Sequence, residues 1–164
     1  MKGQIAPSVF KSAMDSATKS FWGVNILKSG LFGRSLREED IALQAEVARR
    51  IPMTRVFVLE NDDTQETRLH LRKVIAAQLA AGLILYVITR QQFESAKGAV
   101  ADVFETDDFV VIDNMVYTSE PGGKKFMWTE ELALQLAYKF AKRIQLAASA
   151  IESAGQVDEL VPVG

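Results

Sequence analysis

The sequence predicts an α/β fold, a layered and mostly parallel sheet flanked by helices. Two observations predict it. Segments whose apolar residues recur at spacings of three and four alternate along the chain with short apolar runs bounded by turn residues. One of those runs, LILYVIT at 83–89, is apolar almost throughout, as a strand covered on both faces should be. The chain has 164 residues and is 48% hydrophobic, enough for one compact core. Residues 1–154 are therefore assigned to a single domain, followed by a flexible tail at 155–164.

Pro7 opens a helix in which Val9, Phe10, Ala13, Met14 and Ala17 share a face, ending near Ser20. SFWGVNIL, 20–27, reads as a buried strand. In the helix that follows, Ser35 and Glu38 form a capping box: the hydroxyl meets a free backbone N–H and the carboxylate reaches back. Ile41, Ala45, Ala48 and Ile51 give that helix its apolar face, and Pro52 ends it. TRVFVLE, 54–60, is a second strand and NDDT, 61–64, a turn. The helix 64–81 buries Leu71, Val74, Ile75 and Leu79 and stops at Gly82. After the strand at 83–89 comes a stretch, 91–105, with room for one short helix. DDFVVIDNMVYTSEP, 107–121, supplies one or two further strands, with Asp113 and Asn114 at the bend. EPGGKK, 120–125, is a loop, and 129–153 is a long helix.

Composition excludes several chemistries. There is no cysteine, hence no disulfide or thiolate site, and His70 is the single histidine, so neither a zinc site nor any other metal or cofactor is expected. The longest apolar stretch, 76–89, is interrupted by Gln78 and Gly82 and is too short to span a bilayer. No signal peptide is evident, and a cytoplasmic protein without a membrane partner is expected. The net charge of −2 gives no general attraction to nucleic acid. Early cations, among them Lys2, Lys11, Lys19, Lys28, Arg34 and Arg37, lack the interleaved aromatics that stack bases, so nucleic acid is not expected as a partner.

The order of elements between Phe10 and Ser119, together with VIDNMVYTS, resembles one half of the phospholipase D superfamily. That family's signature is a histidine, one residue, a lysine, four residues and an aspartate, leading to Gly-Ser. Counted back from Asp113, Thr106 stands at the histidine position and Asp108 at the lysine position, with Thr118-Ser119 in place of Gly-Ser. The family's histidine attacks phosphorus and its lysine stabilises the phosphoryl oxygens. Neither is present here, and between Gly98 and Gly123 there is no Lys or Arg at all. The resemblance implies a non-catalytic phospholipase D-like module, regulatory, sensing or protein-binding, that pairs as a homodimer. The alternative is a phosphodiesterase or nuclease with a rearranged site that uses His70.

Two sets of residues are candidates for function. Polar residues at strand ends, Asn25, Glu60, Asn61, Thr89, Arg90 and Asn114, would line the crevice beyond the carboxyl ends of a parallel sheet, with Arg90 as the anion partner of an unidentified small ligand. Asp113 either contacts that ligand or simply holds its turn. In the last long helix, Ala133, Ala137, Phe140, Ile144, Ala147 and Ile151 step by four, three, four, three and four, the seam of a heptad repeat. Ala137, Phe140, Ile144 and Ile151 are candidates for contact with a second copy or a partner protein. The same stripe is also what a helix covering its own sheet would show.

Overall fold

The structure, a computed structural model, describes residues 2–26, 38–98, 104, 108–120 and 124–163. Three strands form the parallel part of the sheet: β2 (Phe21–Ile26), β3 (Met53–Leu59) and β4 (Ile84–Thr89). Around them the chain adds β1 (Lys2–Ile5), β5 (Phe109–Ile112), β6 (Met115–Ser119), β7 (Lys125–Trp128) and β8 (Ser149–Ile151). These make one eight-stranded sheet in the order β1-β7-β6-β5-β2-β3-β4-β8. The expectation of a mostly parallel sheet is overturned. Only β2–β3 and β3–β4 pair parallel; the other five pairings among the described residues are antiparallel. Apolar runs identify strands but carry no direction, and antiparallel neighbours need only the short links found from β5 onwards.

Among the described residues six helices cover the two faces: α1 (Pro7–Asp15), α2 (Glu38–Arg50), α3 (Gln65–Ala80), α4 (Arg90–Lys97), α5 (Glu131–Ala147) and α6 (Ala154–Leu160). Several begin and end for local reasons. Pro7 stands in the first turn of α1, where its missing N–H is no loss. The Thr64 hydroxyl accepts from Thr67 N at 3.1 Å to cap α3. Gly82 follows α3 with φ 91°, a conformation that suits glycine. The Ser35 half of the expected capping box before α2 lies outside the described residues, as do the side chains of Glu38 and Ile41.

Alternation along the strands divides the core in two. Phe21, Phe57, Leu85 and Ile112 point to the face covered by α1, α2, α3 and α6. Val24, Val56, Val58, Ile88, Phe109 and Val116 point to the face covered by α4 and α5. Beneath α5, the Phe140 ring stacks 4.9 Å from Phe109 and meets Phe93 edge-on at 5.9 Å. Ala137, Phe140 and Ile144 are each 0% exposed. The heptad seam therefore packs on the chain's own sheet, and the assignment of these residues to a dimer or partner contact is corrected.

Ile151 is not on that helix. The chain leaves α5 at Ala148 and pairs Ser149–Ile151 antiparallel with β4, filling an edge of the sheet that would otherwise offer unpaired backbone groups. Alanine-rich sequence favours helix locally, and the pairing overrides it. Within the segment expected as a flexible tail, α6 runs to Leu160, with Val157 and Val161 buried. Arg72 Nε donates to Val161 O at 2.8 Å and Arg68 Nη1 to Pro162 O at 2.9 Å, tying that segment to α3. Among the described residues no helix is long and apolar enough to cross a membrane.

Because Ile144 is fully buried within one chain, Ile144→Ala should cost about 2–5 kcal/mol in urea unfolding. Ile144→Asp should prevent folding outright. A folded Ile144→Asp protein of reduced mass by light scattering would restore the seam as an interface.

Candidate functional site

The residues expected to form one crevice are split between opposite edges of the sheet. Glu60, Asn61, Thr89 and Arg90 lie at the carboxyl ends of β3 and β4. Asn25 is near the end of β2, its side chain outside the described residues. Asp113 and Asn114 lie at the other edge, because β5 runs antiparallel to β2 and pairs Ile112 with Phe21, the first residue of β2.

At the carboxyl edge the polar groups bind one another. Arg90 Nε donates to both oxygens of Glu60, at 3.1 and 2.9 Å; its Nη2 also pairs with Glu60, and its Nη1 donates to Glu94 at 3.1 Å. The guanidinium also lies over the Phe93 ring, 5.2 Å from its centre. Arg68 Nη2 donates to Glu60 O at 2.8 Å and Arg68 Nε to Asp63 at 2.9 Å. Thr89 caps α4, with Gln92 completing the capping box. The Arg90 guanidinium, expected as an anion partner, is thus already engaged by two carboxylates of the chain itself. Asn61 stands in the exposed turn after β3.

Asp113 closes the two-residue turn between β5 and β6 with φ 54°, a region Asp tolerates. Its carboxylate accepts from Lys19 N at 2.7 Å and from Thr18 N and Ser20 N at 3.2 Å each, while its own N donates to Ser20 O at 2.9 Å. It thereby clasps the hairpin to the α1–β2 loop. Burial alone would raise its pKa; the backbone N–H groups of Lys19, Thr18 and Ser20, with the Lys19 ammonium, outweigh this and hold it below the usual carboxylate range. The Asn114 amide, oriented so that donor meets acceptor, donates to Asp113 O at 3.2 Å and accepts from Lys19 Nζ at 3.1 Å. Of the two roles open for Asp113, holding the turn is the one these contacts describe.

Next to this clasp is a groove of about 460 Å³ between α5 and the amino ends of β2 and β3. Its floor is Trp22, Thr54, Tyr86 and Val111; its α5 wall is Tyr138, Lys142, Gln145 and Leu146. Gln145 fixes the floor: Trp22 Nε1 donates to Gln145 Oε1 at 3.1 Å, and Gln145 Nε2 donates to Tyr86 Oη at 3.1 Å. Tyr138 Oη donates to Asp113 O at 3.3 Å, joining groove and clasp. Sequence reasoning missed this site because it placed α5 by its buried seam and looked for ligands at the other edge. The signal available was Trp22 and Tyr86 on alternate-face positions of central strands. His70 lies on α3, which packs on the opposite face of the sheet, so it does not meet Asp113 across this groove.

The fold is thus α/β, built on a mixed sheet, with an open groove beside α5. No protein-family model and no curated protein sequence matches the chain. Among solved structures it is similar to TrmBL2, an archaeal chromatin protein whose structure is described as showing a novel mode of DNA binding: TM-score 0.54 at 11% identity, over 92% of this chain and 54% of that one. The chain thus spans about half the length of the protein it matches. Such identity shows a shared fold alone. The resemblance to the phospholipase D superfamily is overturned by this likeness and by the mixed sheet; the segment read as a degenerate signature is the β5–β6 hairpin. The exclusion of nucleic acid as a partner is likewise withdrawn, since a protein of similar fold is described as binding DNA.

Asp113→Ala should lower stability by about 0.5–2 kcal/mol, the range for losing a side-chain acceptor of orphan backbone N–H groups. With its folded-state pKa depressed, Asp113 contributes fully above the unfolded carboxyl value and loses that contribution as pH falls through the folded value. In urea melts the gap between wild type and variant should be present at neutral pH and narrow below about pH 4. A gap that widens on acidification would remove the carboxylate as its cause.

Proposed function

We propose that the chain is a non-catalytic regulatory or sensing module and that the groove under α5 is its ligand seat. One observation carries this reading. The groove has aromatic side chains locked in place by Gln145 and a lining without any carboxylate or histidine, a surface prepared for binding and lacking an acid–base pair. The polar residues at the carboxyl edge support it from the other side, since Glu60, Arg90 and Thr89 are engaged in internal bonds.

The purified protein should not turn over bis(4-nitrophenyl) phosphate; turnover lost in His70→Ala would favour a phosphodiesterase. In a fragment screen followed by amide chemical shifts, hits should cluster on residues 138–146 and on Trp22. Clustering on 60–61 and 89–94 would return the site to the carboxyl edge.

In this reading the module works in the cytoplasm within, or beside, a DNA-associated protein. The support for that association is the likeness to TrmBL2, of which this chain matches about half. Formaldehyde crosslinking of native cells followed by immunoprecipitation of the chain should recover DNA. Recovery no greater than that of an unrelated cytoplasmic protein would remove the link.

A further inference from the structure

Resting on the groove as ligand seat, we infer that its ligand is a small amphipathic anion: a flat or branched apolar body carrying a single carboxylate or phosphate. The volume of about 460 Å³ suits a compact molecule. Trp22, Tyr86, Val111 and Leu146 supply an apolar surface for its body. Leu146, 79% exposed, is the most exposed large apolar side chain among the described residues and stands at the rim, where a bound ligand would cover it.

Charge sets the sign of the ligand. Lys142 is the one charged side chain in the lining, and among the described residues it has no carboxylate partner. A cationic ligand would meet like charge and no carboxylate. Hydroxyls add donors. Tyr86 Oη accepts from Gln145, which leaves its own hydrogen to give, and Ser20 and Thr54 contribute two more hydroxyls. Nucleic acid fits the groove less well, since a polyanion requires several cations along its track and the groove presents one.

The two tryptophans make the test direct. Trp22 is in the groove, while Trp128, on β7 three strands away, donates its indole N–H to Thr118 at 3.0 Å and serves as an internal control. Uniformly ¹⁵N-labelled protein is titrated with 2-naphthoate and with the neutral 2-naphthamide, following both indole N–H signals. Both probes should move the Trp22 signal and leave that of Trp128. Naphthoate should bind about three- to tenfold more tightly, as a charge-assisted bond at a partly exposed site allows. Lys142→Gln, an exposed position in the α5 wall, should abolish that preference, so that naphthoate and naphthamide bind the variant equally. Equal affinities for wild type would overturn the anion assignment while the groove stands. Failure of both probes to move Trp22 would remove the groove as a ligand seat, and the inference with it.

Discussion

The packing of α5 on the sheet, centred on Phe140 against Phe109, is the constraint on which the rest of the structure depends. Burying Phe140 and Ile144 is worth about 1.5–3 kcal/mol for each side chain in transfer terms. Once those residues and Ala137 face inward, helical geometry fixes what faces the other way. Tyr138, Lys142, Gln145 and Leu146 lie along the flank of α5 and overhang the amino ends of β2 and β3. The groove is thus a by-product of core packing, and Gln145 turns it into a defined surface by bonding to both Trp22 and Tyr86.

Strand direction decides where polar residues end up. In a parallel sheet all the residues that follow strands gather at one edge. Here β5 runs against β2, so Asp113, although it also follows a strand, is carried to the opposite edge from Glu60 and Arg90. The two groups then take different structural tasks. Glu60 and Arg90 neutralise one another at the start of α4, and the Asp113 carboxylate accepts from three backbone N–H groups of the α1–β2 loop. A carboxylate after an apolar run looks the same in both settings; the neighbours that give it meaning are more than ninety residues away in sequence for Asp113 and thirty for Glu60.

Local chemistry in the sequence determined the helices α1 and α3 and the strands β2 to β4 well, and α4 and the β5–β6 hairpin only in outline: Pro7, Thr64, Gly82 and the β-branched runs act through neighbouring backbone, and those effects need no tertiary partner. That both faces of the sheet would be covered was also legible, because the run at 83–89 is apolar almost throughout. Tertiary structure decided the rest. The edge strands β1 and β8, and β7 next to β1, are three or four residues long and have no pattern of their own; they exist because a neighbouring strand offers unsatisfied N–H and C=O groups. The sense of each pairing, the face that α5's seam would meet, and the docking of α6 by Arg68 and Arg72 were likewise settled only when distant segments met. A side chain's spacing shows which neighbours share its face, and the tertiary structure alone shows what that face touches.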